Sequence, residues 1–238
     1  MEQIYTIPVN EAFRACREEP LGACPICTLY RKLEDDELDR ILGAAMMEPS
    51  VRIRTNEEGF CARHFGKMLT RQNRLPFALM LESHLAEVEG MLADGLIGTP
   101  GDKPVKRLTA LEHSCYICNR IEASLSRMLE TVALLFESEP EFRTLFGEQK
   151  RYCLPHFRRL TEVGRARLSK KTYALFYRTM SDTVKTYLEK LRGDVSWFCK
   201  KFDYRYDGEP WYDAKDAIER TVGFLAAEDA CAKEGKRK

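Results

Sequence analysis

Four short motifs constrain this chain more than any other feature of its sequence. Each motif carries two metal-binding side chains that are separated by two residues. In chain order the motifs are Cys24-Pro25-Ile26-Cys27, Cys61-Ala62-Arg63-His64, Cys115-Tyr116-Ile117-Cys118 and Cys153-Leu154-Pro155-His156. A Cys-x-x-Cys turn places two sulfurs on one ion, and a distant Cys-x-x-His pair completes a tetrahedron of soft sulfur and borderline imidazole. The spacing therefore predicts two metal sites, each with three cysteines and one histidine.

The motifs recur at a nearly constant offset. The second Cys-x-x-Cys follows the first by 91 residues, and the second Cys-x-x-His follows the first by 92. Between them, Glu48-Pro49 recurs as Glu139-Pro140, again 91 residues later. A register held over so many positions indicates an internal duplication of a unit of about 90 residues. We therefore expect one metal-binding quartet in each copy.

After each Cys-x-x-Cys, apolar residues recur mostly at intervals of three and four, the spacing of an amphipathic helix. They are Leu29, Leu33, Leu38, Ile41, Leu42 and Ala45 in the first copy, and Ile121, Leu125, Met128, Leu129, Val132, Leu135 and Phe136 in the second. Both helices are expected to end at the Glu-Pro dipeptides, because a residue before proline is pushed out of helical geometry. A single long helix is predicted from about Lys171 to Phe202. Few segments alternate with period two, so the predicted fold is all-α.

The predicted organisation is two tandem zinc-knitted helical repeats followed by a C-terminal helical extension. Residues 1–97 form the first metal-binding repeat, and residues 98–104 form a linker rich in glycine and proline. Residues 105–202 form the second metal-binding repeat, which includes the long helix. Residues 203–238 form an aromatic, charged C-terminal extension and tail.

The charge balance argues against a general attraction to polyanions. The 38 basic residues nearly cancel the 37 acidic ones, so no net field favours nucleic acid or an anionic membrane. The first ten residues do not resemble a signal peptide, and no apolar stretch approaches the ~18 residues of a membrane span. We therefore expect a cytoplasmic protein. In that reducing compartment, nine cysteines are more naturally metal ligands than disulfides.

Zinc is the metal that this ligand set favours, with two ions per chain. A closed site with four protein ligands leaves no position for water or substrate, which predicts a structural role. An iron–sulfur cluster held by three thiolates and one imidazole is the alternative cofactor. A thioredoxin-type redox pair at Cys24 and Cys27 is disfavoured, because it lacks a βαβ context and leaves Cys61 and His64 without a role.

No catalytic residue is predicted, since the chain has neither a glycine-rich phosphate loop nor a nucleophile elbow. Two functional hypotheses remain. The favoured one is a non-enzymatic interaction or scaffold protein with a protein partner, in which zinc holds the fold together. The other is a redox or metal-handling protein that uses an iron–sulfur cluster or redox-labile zinc-thiolate sites. Asp203, Arg205 and Trp211 lie in an unusually aromatic and charged segment, and they are the candidates for a binding surface.

The remaining histidines and cysteines are given structural interpretations. His84 lies on the apolar stripe of its predicted helix and is expected to be a core histidine with one hydrogen-bond partner. His113 is expected to be a solvated residue at a helix start. Cys16, Cys199 and Cys231 fall outside the motifs and are interpreted as packing residues or exposed thiols.

Several strings of residues also carry a family resemblance. They are the Cys24 to Cys27 turn, Ile4-Tyr5-Thr6-Ile7-Pro8-Val9-Asn10-Glu11-Ala12-Phe13, Gly59-Phe60-Cys61 with His64, Asn73-Arg74-Leu75 with Ala78-Leu79-Met80-Leu81, and the segment from Lys201 to Trp211. Together they resemble a family of anaerobe-associated bacterial proteins known only as a domain of unknown function. The resemblance covers most of the chain and includes all eight ligand positions. It implies a metal-binding protein and assigns no activity.

Overall fold

The computed structural model of the chain describes residues 5–93 and 101–227. These residues form α-helices and short 3₁₀ turns, and none of them lies in a strand, which confirms the all-α prediction. The α-helices are α1 (Thr6–Glu18), α2 (Pro25–Ile41), α3 (Pro49–Glu58), α4 (Ala62–Thr70), α5 (Arg74–Met91), α6 (Asp102–Glu112), α7 (Tyr116–Ser138), α8 (Pro140–Gly147), α9 (Leu154–Arg167), α10 (Lys170–Lys200) and α11 (Ala217–Ala226). Within the described part of the chain, no helix combines the length and apolarity that crossing a membrane requires.

Proline and glycine set the helix boundaries near the predicted places. Pro49 and Pro140 are the first residues of α3 and α8, where a missing N–H costs nothing. Helix α7 ends directly before Glu139-Pro140, as predicted, but α2 ends at Ile41. Gly43 leaves helical geometry there with a ψ of −139°, and Ala44–Met47 form a separate 3₁₀ turn.

The long helix is close to its predicted span. Helix α10 contains 31 residues, from Lys170 to Lys200. Ser169 caps its start, because the Ser169 hydroxyl accepts a hydrogen bond of 3.2 Å from the Thr172 backbone N–H.

The chain forms two compact units. Unit 1 comprises Met1–Arg31 and Leu125–Lys238, and unit 2 comprises Lys32–Ser124. The chain passes from one unit to the other within α2 and again within α7. Of the predicted linker 98–104, residues 98–100 lie outside the described part, and helix α6 already begins at Asp102. The tandem repeats stay a prediction, although the helix order around the motifs is the same in α2–α5 and α7–α10.

Unit 1 is built around a cluster of buried aromatic rings. Phe146 lies at its centre, with ring centroids 5.1 Å from Phe136, 4.8 Å from Phe176, 5.9 Å from Phe13 and 5.2 Å from Tyr152. All five side chains are essentially inaccessible to solvent. Removing such a ring costs about 3–5 kcal/mol of stability. The cluster therefore fixes α1 against α8 and against the segment that leads into α9.

Unit 2 has a smaller aromatic core. The Phe60 ring lies 5.5 Å from Phe65 and 6.5 Å from Tyr116, and Phe65 lies 6.5 Å from Phe77. A backbone hydrogen bond of 2.9 Å from Tyr116 N–H to the Gly59 carbonyl ties the start of α7 to the turn before α4. These contacts bring two of the cysteine motifs together.

Candidate metal centres

The eight motif side chains converge in two clusters, each with four possible metal ligands. We define the first centre as Cys24, Cys27, Cys153 and His156, and the second centre as Cys61, His64, Cys115 and Cys118. Within each centre, one sulfur or nitrogen atom of every residue lies within 4.8 Å of the others. The first centre belongs to unit 1 and the second to unit 2.

The distances between donor atoms fit four ligands around one tetrahedral metal ion, for which zinc gives reference values. With Zn–S bonds of about 2.3 Å and Zn–N bonds of about 2.0–2.1 Å, the tetrahedron edges are about 3.8 Å for S···S and about 3.5 Å for S···N. In the first centre Cys27 Sγ lies 3.7 Å from Cys153 Sγ, and His156 Nδ1 lies 3.2, 3.4 and 3.7 Å from the sulfurs of Cys153, Cys27 and Cys24. A disulfide would require about 2.05 Å between the sulfurs.

The second centre has the same dimensions. Cys61 Sγ and Cys118 Sγ are 3.9 Å apart. His64 Nδ1 lies 3.2 Å from Cys115 Sγ, 3.3 Å from Cys61 Sγ and 3.4 Å from Cys118 Sγ. In both centres, therefore, the imidazole presents Nδ1 to three sulfurs.

Helix starts position the ligands. In every motif the first cysteine immediately precedes a helix, and its carbonyl accepts the hydrogen bond that opens the first turn; in the Cys153 motif, the Phe157 N–H donates at 2.8 Å. The second ligand follows three residues later, on the same face of that turn. The free amides of a helix start also stabilise a thiolate. The motif spacing thus follows from one turn of helix.

Glycine makes the approach to two of the motifs possible. Gly22, two residues before Cys24, has a φ of +78°, and a Cβ there would lie 2.9 Å from Lys150 Cβ. Gly59, two residues before Cys61, has a φ of +59°, and a Cβ there would lie 2.7 Å from Leu111 Cδ1. Both positions combine a left-handed backbone with a close approach, so a larger residue would displace the turn before the ligand.

The pairing of the motifs corrects the sequence-based expectation of one quartet in each copy. Each centre combines the Cys-x-x-Cys of one predicted copy with the Cys-x-x-His of the other. The physical reason lies in the core of unit 1, where the Phe13 ring packs 5.0 Å from Phe142. In addition, Gln149 donates a hydrogen bond of 2.9 Å to the Phe13 carbonyl. This packing brings the N-terminal motif to Cys153.

The second centre combines a thiol of lowered pKa with an imidazole of raised pKa. A hydrogen bond from Cys118 lowers the pKa of Cys115 to about 3 against the effect of burial, and His64 lowers it further. Burial opposes a charge on His64, but the contacts with Cys115 and with the Glu34 carboxylate raise its pKa to about 10. Thiolate is the form that binds metal, so this centre holds a ready anionic ligand at neutral pH.

The first centre contains an acidified thiol as well. Burial opposes ionisation of Cys24, but hydrogen bonds from Cys153, Cys27 and His156 outweigh it and hold the pKa of Cys24 well below its usual range. Hydrogen bonding to Cys153 and Cys24 raises the pKa of Cys27. In the absence of a metal, one thiolate disfavours the ionisation of its neighbours. A dication in the centre would favour the thiolate form of all three cysteines at once.

The two centres differ in exposure. Cys24, Cys27 and Cys153 are 0% exposed, and His156 is 4% exposed. In the second centre Cys61 and Cys118 are only partly buried. Solvent therefore reaches the second centre but not the first.

Glu34 is a buried residue at the second centre that the sequence-based prediction missed. Its carboxylate is 1% exposed and accepts a hydrogen bond of 3.0 Å from His64 Nε2–H. It also forms ion pairs with Arg63, at 2.7 Å, and with Lys67. The signal in the sequence is an acidic residue four positions before Leu38 on the apolar face of a helix, where a charge needs a specific partner.

The two histidines outside the motifs lie apart from both centres. His84 is half-buried, burial lowers the pKa of its imidazole, and its Nδ1 is buried without a hydrogen-bond partner. His113 is exposed at the end of α6, where its Nδ1–H donates to the Thr109 carbonyl at 2.8 Å. Neither histidine belongs to a cluster that could hold a metal ion in the described part of the chain.

Of the three cysteines outside the motifs, the two in the described part of the chain belong to neither centre. Cys16 is buried beside Thr28, with 3.3 Å between its sulfur and the threonine hydroxyl. Cys199 is exposed, and Cys231 lies outside the described residues.

The aromatic segment after α10 folds back onto the end of that helix. Lys201 Nζ donates to the carbonyls of Tyr206, Asp207 and Glu209 at 2.6, 3.1 and 2.8 Å. It also lies 5.5 Å from the centroid of the Trp211 ring. Lys201 therefore ties the segment to the end of α10.

The three predicted surface residues occupy different environments in this segment. Asp203 and Arg205 form an ion pair of 2.6 Å with each other. Trp211 is partly buried, with its ring centroid 5.7 Å from that of Phe198. A role in partner binding stays a prediction for all three.

The chain matches the sequence model of a protein family, described as a family of unknown function (DUF6062), over residues 1–231. The chain belongs to this family. The resemblance inferred from the motifs is thereby confirmed, and the family description assigns no activity. A similar protein is the uncharacterized 23.9 kDa protein in the xynA 3' region of Caldicellulosiruptor sp. (strain Rt8B.4). It is 20% identical over 182 residues, which cover 76% of this chain and 83% of that protein. No solved structure matches the chain.

Proposed function

We propose that each centre binds one zinc ion and that the two ions stabilise a non-enzymatic interaction or scaffold protein. The observation that carries the proposal is the agreement of the donor distances with the edges of a zinc tetrahedron. Three thiolates and one imidazole are also the ligands of common structural zinc sites. Four protein ligands leave no open coordination position, so the ions have a structural rather than a catalytic role.

The energetic scale supports a structural role. Apparent zinc binding by such sites reaches ~10–16 kcal/mol, whereas a whole domain is stable by about 5–15 kcal/mol. Each unit has its own centre, so each would depend on its own ion. Removing the metal should therefore unfold the units rather than stop a reaction.

A protein partner is the binding partner that the surface favours. Phe202, Tyr204 and Tyr212 in the segment after α10 are 77%, 84% and 69% exposed. Large aromatic side chains are enriched at protein interfaces, because they bury much area with little loss of conformational entropy. The nearly balanced charge of the chain argues against nucleic acid as the main partner.

The partial exposure of Cys61 and Cys118 favours one second candidate, a redox or metal-handling protein. Accessible thiolates can be oxidised or can transfer their metal. In that case the second centre would hold a redox-labile zinc ion or an iron–sulfur cluster.

Elemental analysis with a visible spectrum, on protein purified without oxygen, tests both candidates. About two zinc ions per chain and no colour would support the structural role. Iron with charge-transfer absorption would favour the redox candidate, and protein with neither metal and all thiols free would refute both. Cys61→Ser should lose one ion. The matched control is Cys199→Ser, which changes an exposed thiol outside both centres and should retain two.

A further inference from the structure

We propose that Glu34 is the positioning residue of the second centre: its carboxylate fixes the His64 imidazole with Nδ1 toward the three sulfurs and strengthens metal binding there. This inference rests on the proposed metal binding. It goes beyond it because it assigns a role to a residue outside the ligand set.

The geometry gives Glu34 this role. His64 is 0% exposed, and its two ring nitrogens face opposite partners. Nε2–H donates to Glu34 Oε1 at 3.0 Å, while Nδ1 lies 3.2–3.4 Å from the three sulfurs. In the neutral imidazole, a hydrogen bond at Nε2 keeps the proton on that nitrogen and leaves the Nδ1 lone pair for a metal. A carboxylate in this position also makes the imidazole a more basic ligand.

Two basic side chains pair with the buried Glu34 carboxylate. An isolated buried carboxylate would be very costly. Here Arg63 and Lys67 pair with it, and their side chains are 27% and 39% exposed. With Arg63 immediately before His64 and Lys67 three residues after it, the same turn of α4 supplies both the ligand and the counterions.

The predicted duplication provides an internal comparison. Under the predicted duplication, the position 91 residues after Glu34 is Leu125, which is 0% exposed. The second copy therefore has an apolar side chain where the first copy has the carboxylate. Replacing Glu34 with leucine would give the second centre the residue of the other copy. The change leaves Arg63 and Lys67 near solvent, so it creates no deeply buried unpaired charge.

The test compares two glutamates of α2. Glu34→Leu removes the contact with His64 together with two ion pairs. Glu37→Leu is the matched control, because the Glu37 side chain is 11% exposed and pairs with Arg40 and Arg120 but touches no ligand. Both proteins are loaded with cadmium, and each centre is followed by its own cadmium NMR signal during competition with a chelator.

We expect Glu34→Leu to weaken the second centre by about 10–100-fold, to shift its cadmium signal and to leave the first centre unchanged. Glu37→Leu should change neither affinity. The positioning role would be overturned if the two variants lost cadmium affinity at the second centre equally, or if Glu34→Leu lost none. If Glu34→Leu does not fold, Glu34→Gln replaces it, and a second-centre signal identical to that of the wild type would overturn the role equally. A wild-type protein that binds cadmium in neither centre would instead refute the proposed function.

Discussion

The crossed pairing of the motifs can be tested with a single substitution, Cys153→Ser. In the structure Cys153 shares a centre with Cys24 and Cys27, which lie 129 and 126 residues before it in the sequence. If each copy instead held its own metal, Cys153 would share a site with Cys115 and Cys118. The substitution should therefore expose Cys24 and Cys27 and leave the second centre intact.

The expected effect is large because the first centre is completely buried. All three of its sulfurs are 0% exposed, so their thiols react only when unit 1 opens. The free energy of metal binding at such a site, ~10–16 kcal/mol, is as large as the free energy of unfolding of a whole domain. A loss of even about 5 kcal/mol would raise the open fraction by about 10³–10⁴-fold, since each 1.4 kcal/mol is about a factor of ten. Alkylation of Cys24 and Cys27 should accelerate by at least that order.

Timed alkylation of the zinc-loaded proteins, read for each cysteine by mass spectrometry, measures this effect. Metal content should fall from about two ions to about one per chain. Faster labelling of Cys115 and Cys118, with Cys24 and Cys27 still protected, would refute the crossed pairing. Cys199→Ser, which lacks a thiol outside both centres, should match the wild type.

Two further predictions concern unit 1 and the exposure of the centres. Arg220→Met should destabilise unit 1 by about 2 kcal/mol. Removing one partner of a fully buried ion pair costs about 3–5 kcal/mol, but Asp194 and Asp216 keep some solvent contact, so the loss here should be smaller. Arg220 is 7% exposed and pairs with both aspartates at 2.9 Å, so an unchanged midpoint in chemical denaturation would contradict its anchoring of α11. A chelator should remove zinc in two phases, the second centre first, because Cys61 and Cys118 are only partly buried. A single phase releasing both ions would show that exposure does not control release.

Local sequence information was sufficient for the all-α class, for the long helix and for the eight residues of the two clusters. Periodicity, the Glu-Pro dipeptides and the one-turn spacing of each motif all act within a few residues. The early end of α2 was missed because Gly43 interrupts a pattern that otherwise continues to Ala45. Such a break depends on how well the following turn packs, which periodicity does not report.

The pairing of the motifs could not be predicted in the same way, because both arrangements satisfy the same chemistry. Cys27 and Cys153 are 126 residues apart, against 34 residues between Cys27 and Cys61. Closing the longer loop costs only roughly 1 kcal/mol more, because the entropy of closure grows with the logarithm of length. The packing of Phe13 on Phe142 and Phe146 outweighs that difference. Tertiary packing therefore decides the partner of each motif.

Glu34 shows the corresponding limit for residues around a ligand. The candidate ligands were recognisable from residue type and spacing, but a carboxylate that contacts such a histidine has no fixed offset from it. Glu34 and His64 are 30 residues apart and meet only through the packing of α2 and α4. Asp203 and Arg205 show the opposite limit. Their residue types suggested a binding surface, but in the structure the two side chains form an ion pair with each other.

The crossed pairing also predicts an order of folding. Unit 2 is one continuous segment, and its centre joins Cys61 and Cys118 across 57 residues. Unit 1 is formed from both ends of the chain, and its centre joins Cys27 and Cys153 across 126 residues. Contacts between residues closer in sequence form faster, so the second centre should close first. During refolding with zinc, alkylation pulses should find Cys61 and Cys118 protected before Cys27 and Cys153, with exposed Cys199 reporting the strength of each pulse. The reverse order would mean that the aromatic core of unit 1 forms before either metal centre and determines the folding pathway.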